Sequence, residues 1–139
     1  MRFFLKKLIK YSFIFLITIT LLLSKASAEP TTNEGNFSIT NENKTATGVA
    51  FNPLGTKMYV VGIDVSGSNA SIAQYSLSEP FNVSTSVLDE NLVISAKESR
   101  PQGIKFSADG LKVLVLGTTG DGVDVWDLKI AYDITTLTL

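Results

Sequence analysis

The chain has 139 residues, 12 Lys and Arg against 13 Asp and Glu, a formal charge of −1, and neither cysteine nor histidine. That inventory excludes a disulfide framework and a lipid-modified cysteine, and with them Ser-His-Asp and Cys-His nucleophiles, HExxH-type zinc hydrolysis and thiolate or imidazole metal sites. The chemistry left is that of carboxylates, Ser, Lys and Tyr.

At the N-terminus, Arg2, Lys6, Lys7 and Lys10 come without an acid and precede an apolar run from Phe13 to Leu23 broken only by Thr18 and Thr20. Ala26-Ser27-Ala28 follows, small residues at the spacing a signal peptidase accepts, and then Glu29-Pro30. The pattern predicts a signal-peptide helix over 1–28, cleaved between Ala28 and Glu29, rather than an uncleaved anchor, since the apolar run falls short of the roughly 20 residues of a membrane span. Cleavage leaves a mature chain from which five basic residues are gone and all the acids remain. It is therefore acidic, which argues against a nucleic-acid partner. Export without cysteine points to a bacterial protein that is secreted, periplasmic or at the cell surface, with no membrane association after cleavage.

After a short linker (29–35) the sequence repeats itself. Thr47-Gly48-Val49-Ala50-Phe51 through Gly55 to Gly62 aligns with Gln102-Gly103-Ile104-Lys105-Phe106 through Gly110 to Gly117, a period of about 55 residues. Asn36 to Thr40 pairs with Asn91 to Ser95, Ala73 to Leu77 with Asp124 to Leu128, and Phe81 to Thr85 with Tyr132 to Thr136. The repeats therefore span 36–90 and 91–139.

Within each repeat, alternation and turn residues predict four short antiparallel strands, in the first copy near 36–40, 48–52, 57–63 and 71–77. Gly55 and Gly110 sit in tight turns that make hairpins of the second and third strands. An apolar face is expected from Val49, Phe51, Tyr59, Val61 and Tyr75 in one copy, and from Ile104, Phe106, Leu114, Leu116 and Trp126 in the other. The segment from Asp64 to Ala70 is polar and longer than its counterpart from Thr118 to Gly122, as an exposed loop is.

The Gly48-Val49-Ala50-Phe51 strand, the Gly55-Thr56-Lys57 turn and the Met58-Tyr59-Val60-Val61 strand resemble the blades of YVTN- and NHL-type bacterial extracellular β-propellers. The resemblance covers the chain from about Asn36 onward and implies an all-β fold of two four-stranded blades, fewer than the roughly 4 to 8 that close a ring. Two blades can cover Phe51, Val61, Phe106 and Leu116 only partly, so the incomplete ring implies either self-association through unpaired blade faces or a loosely packed, aggregation-prone chain. Such propellers include binding scaffolds, surface and adhesion proteins, and lactonase-like hydrolases whose catalytic acids converge from several blades. Trp126-Asp127 is similar to the WD dipeptide but lacks its Gly-His partner, so Trp126 is expected in the core.

The loop carboxylates Asp64, Asp121 and Asp124 are the candidate ligand-facing groups. With Asp127, the last two place acids three residues apart, a spacing that suits Ca²⁺ only loosely because the EF-hand order of ligands is not met. No cofactor, metal site or catalytic set is otherwise expected. The leading expectation is a binding module for a carbohydrate, a small molecule or a surface protein.

Overall fold

A computed structural model describes residues 35–138. The expected signal-peptide helix and its cleavage site at Ala26, Ala28 and Glu29 lie outside them. The described residues lie within one compact unit. It consists of two antiparallel sheets. The first has four strands, β1 (Asn43–Phe51), β2 (Lys57–Asp64), β3 (Ala70–Leu77) and β4 (Ser86–Val93), in sequential order. The second has three, β5 (Pro101–Phe106), β6 (Lys112–Gly117) and β7 (Val123–Asp127).

Two expectations need correction. Residues 36–40 are not a strand; the fourth strand of the first sheet is instead β4, paired with β3 from Ser71↔Val93 to Leu77↔Ser86. The second sheet has three strands rather than four, and a single bridge, Leu128↔Leu137, stands where Leu77↔Ser86 opens β4 in the first copy. Only the first step of that pairing lies within the described residues.

The repeat is otherwise reproduced at its turns and short helices. Gly55 and Gly110 have φ of 68° and 72°, and their N–H groups donate to Asn52 and Ser107 carbonyls at 2.9 Å in both copies. Phe81 and Tyr132, themselves at φ of 60° and 58°, donate N–H to the carbonyls of Gly55 and Gly110. Their rings lie over those glycines so closely that a Cβ would come within 2.4 and 2.2 Å of ring carbons. Asn82 and Asp133 then cap the short 3₁₀ helices Val83–Thr85 and Ile134–Thr136 by accepting the N–H two residues on. Ile39 and Ile94 close equivalent turns, accepting N–H from Asn43 and Glu98.

Packing differs from expectation on which side chains share a face. Register places Tyr59 opposite Gln74 and Val61 opposite Ile72, while Met58 opposes Tyr75 and Val60 opposes Ala73. Tyr75 and Phe51 therefore belong to the Met58 face and not to the Tyr59 face. In the second sheet Val113 and Val115, fully buried, share a face with Phe106, Ile104 and Trp126, whereas Leu114 and Leu116 point the other way. The run Met58-Tyr59-Val60-Val61 and its counterpart Val113-Leu114-Val115-Leu116 have no polar alternation, and the structure gives the reason: each sheet is apolar on both faces.

Between the sheets lies the main core: Tyr59, Val61 and Ile72 from the first copy against Ile94, Val113, Val115, Trp126, Leu128 and Ile134 from the second. Tyr59 and Phe106 pack ring against ring, tilted by 48° with centroids 4.3 Å apart. The strands β1 and β5 approach so closely that a Cβ on Gly48 would lie 2.9 Å from Gly103 Cα. Two polar bonds tie the joint. Tyr59 donates its hydroxyl to the Tyr132 carbonyl, and the buried Gln74 Oε1 accepts the Ile134 N–H at 2.9 Å. Burial pushes the Tyr59 phenol well above its usual range, with Asp133 adding to the effect.

A second cluster covers the opposite face of the first sheet. Met58, Val60, Ala73, Tyr75 and Leu77 pack there under Phe37 and Ile39 of the N-terminal segment, with Phe37 edge-on to Tyr75 at 5.3 Å.

Candidate binding surface

The connections β2–β3 and β6–β7 fall at repeat-equivalent places, each at the end of its sheet where the neighbouring strand, β1 or β5, begins. Asp64, at the end of β2, is committed to its own loop. Its carboxylate accepts from Ser66 Oγ at 2.6 Å, Asn69 Nδ2 at 2.9 Å, and the N–H groups of Ser68 and Asn69. The Ser66 and Asn69 bonds lead in holding its carboxyl well below the usual carboxylate range. Such a closed ring of donors fixes the loop shape and leaves the neighbouring Val65, Ser66, Gly67 and Ser68 exposed.

In the second copy the loop is anchored differently. Thr119 Oγ1 takes the Ser99 N–H at 3.2 Å and lies 2.8 Å from Ser99 Oγ, and the Thr118 N–H donates to the Arg100 carbonyl. Asp121 is exposed at φ 52°. Asp124 is not with it: it lies within β7, opposite Val115 and on that residue's face. Asp127, the third acid of the spacing, opposes Lys112 and pairs with it. The acids at 121, 124 and 127 are thus divided between a loop, one face and an ion pair, and among the described residues no group of three or more acidic side chains is placed to hold a metal.

The glycine markers serve packing. At Gly62 a Cβ would meet the Thr45 carbonyl at 2.2 Å, and at Gly117 the Glu98 carboxylate at 1.9 Å. Phe51 and Phe106 occupy equivalent, half-buried positions opposite Met58 and Val113. The equivalent lysines choose different acids: Lys57 meets Asp89 on β4 at 3.1 Å, Lys112 meets Asp127. Partial burial raises the Asp89 pKa, but hydrogen bonds from Ser76, Gln74 and Lys57 outweigh it and bring the carboxyl below its usual range.

The sequence predicts uncovered blade faces and names Leu116, but not which other side chains form them, and Val61, expected to be partly covered, is fully buried. One such surface is the outer face of the second sheet, where Leu116, Val123 and Val125 are each more than half exposed beside Leu114. The other is a groove of about 420 Å³ on the Met58 face, between Val49 and the Phe37–Ile39 segment. The signal was present in the unbroken apolar run of β6, which a one-sided sheet does not need.

Compared with known proteins, the chain matches no family model, no curated protein and no solved structure. The fold alone defines its class: an all-β protein of two stacked antiparallel sheets. Among the described residues no helix is long and apolar enough to cross a membrane.

Proposed function

We propose that this chain is an exported, propeller-type repeat unit that acts as a binding module, presenting the loops 64–69 and 118–122 to a carbohydrate, a small molecule or a surface protein. One observation carries the reading: the two repeats stack through non-equivalent faces, the Tyr59 face of the first against the Val113 face of the second, as successive blades do. The Val113 face corresponds to the Met58 face of the first copy, so the relation between sheets is a repeated step rather than a two-fold. The resemblance to YVTN- and NHL-type blades supports the same reading, as does the basic, apolar and Ala26-Ser27-Ala28 pattern of the leader for export.

Backbone amide shifts recorded while extracellular polysaccharide fractions and small sugars are titrated in test the module. Shifts gathered in 64–69 and 118–122 are the expected result. Shifts spread evenly over the strands, or hydrolysis of lactone substrates by the purified chain, overturn it. Intact mass of exported material beginning at Glu29 tests the leader, and retention of residues 1–28 refutes it.

A further inference from the structure

The step that relates the two repeats has an unused half at each end. Gly48 faces the Gly103 backbone, but the same direction at Gly103 meets nothing within 4 Å. Around it lies a shallow groove of about 310 Å³ formed by Gly103, Lys105, Leu114, Leu116 and Val123. Leu114 and Leu116 are the counterparts of Tyr59 and Val61, which fill the intrachain joint. At the other end, the open groove of the first sheet is lined by Gly48, Val49, Met58 and Val60. Their counterparts, Gly103, Ile104, Val113 and Val115, form the surface onto which the first sheet packs.

Phe37 and Ile39 line one side of that groove and bury Met58 and Val60 at its floor, so its accessible wall is chiefly Val49. Phe37 and Ile39 stand to the first sheet as Leu92 and Ile94 stand to the second, at the edge of the joint. We propose that a second copy of this chain seats its Val49–Met58–Val60 groove on the Gly103–Leu114–Leu116 face, continuing the intrachain step head to tail. The occupant follows from continuity with an interface already built, since this chain carries both complementary halves. A contact of this kind is heterologous, so it closes a ring where the rotation per step permits and otherwise extends as an open filament. The proposal uses the stacking step of the blade reading and is independent of ligand binding at the loops.

Lys105 marks one difference between the joints. It stands where Ala50 lies in the first copy, and its stem can cover apolar surface only if the ammonium reaches solvent at the rim.

The test is sedimentation velocity and light scattering of the full chain, purified as recovered, over a dilution series. The wild type is expected to associate reversibly. Gly103→Val adds bulk where the free chain has space, so it should preserve the thermal transition while weakening association about tenfold or more, because a partner backbone must approach that point. Leu116→Asp and Val49→Asp alter side chains more than half exposed, and each alone should give monomer. An equimolar mixture of the two should give a dimer and nothing larger, because each variant retains one intact half. Wild type that stays monomeric at every concentration, association that survives Gly103→Val and Leu116→Asp, or a mixture that fails to pair overturns the proposal. Any of these results leaves the loop-binding reading standing. Folded-state checks come from circular dichroism, and Val123→Lys replaces Leu116→Asp if the latter does not fold.

Discussion

Replacing Gly110 by alanine should be among the most damaging single-methyl additions in this chain. Gly110 has φ 72°, a left-handed conformation that costs an L-residue about 1–2 kcal/mol. The added Cβ would also lie 2.2 Å from the Tyr132 ring, which cannot swing away freely because its hydroxyl donates to the Ala108 carbonyl at 3.0 Å and its ring packs on Phe106. Forcing that ring aside adds about 1–3 kcal/mol. The sum, roughly 2–5 kcal/mol, is a large share of the about 5–15 kcal/mol that holds a domain together. Gly120→Ala is the internal control, because Gly120 has φ 80° but nothing within 4 Å of its Cβ position. Urea unfolding followed by Trp126, the one tryptophan and a buried one, reads both. The expected order is Gly110→Ala losing at least about 1 kcal/mol more than Gly120→Ala. Equal losses would show that the Tyr132 ring does not clamp the turn, and the packing argument would fail.

Other outcomes follow from the same geometry. Gly55→Ala should cost about as much as Gly110→Ala by urea unfolding, since its Cβ would meet the Phe81 ring at 2.4 Å at φ 68°. Gln74→Met should destabilise by about 1–3 kcal/mol by the same measurement, because the buried Ile134 N–H loses its acceptor. Stability against pH should be nearly flat between about pH 5 and 9, as no histidine titrates. Asp89, Asp64 and Asp109 have lowered carboxyl pKa values in the fold. Their contribution is complete above the unfolded value near 3.9 and is lost as pH falls through the folded values, so thermal melts should drop below about pH 4. Tyr59 and Tyr75 are raised, chiefly by burial. The unfolded chain then loses those protons first, and stability should fall as pH rises past about 10.

Much of the fold was legible because the repeat makes the same local demands twice. Gly55 and Gly110 announced their turns, and Phe51 and Phe106 their equivalent positions, since a tight turn needs a residue free of the Cβ clash. The assignment of faces was not legible. Alternation tells inside from outside only when one face meets water, and Met58 to Val61 or Val113 to Leu116 supply apolar groups to both sides. Register decides there, and register is a long-range property: Tyr75 joins Met58 because β2 and β3 pair in one phase. The fourth strand was misplaced for a related reason. Asn36 to Thr40 matches the sequence of Asn91 to Ser95, but strand pairing depends on an available neighbour, which β3 gives to β4 and no described strand gives to residues 36–40. At the candidate site, the Asp64 loop was visible as polar and variable. That its carboxylate closes on Ser66 and Asn69 depended on loop geometry rather than composition.

The two joints implied by the repeat differ in a way that bears on assembly. Inside the chain, the Tyr59 hydroxyl and the Gln74 amide each bind backbone of the second copy, and such buried polar pairs fix orientation because a misaligned arrangement would leave them unpaired. At the outer face the equivalent positions are Leu114 and Val125, which bury surface in any orientation. The internal joint is therefore both stable and directional, while the external one draws on apolar area and on the shape of the Gly103 groove. Direction there must come from shape: the approach of one strand to Gly103 reproduces what Gly48 already does within the chain. An association built this way is reversible and sensitive to added bulk at position 103, whereas the internal joint is sensitive to polar changes at Tyr59 and Gln74. The same sheet architecture thus supports a directional pairing and an exchangeable one, separated by the side chains at Tyr59, Gln74 and Ala50 and their counterparts Leu114, Val125 and Lys105.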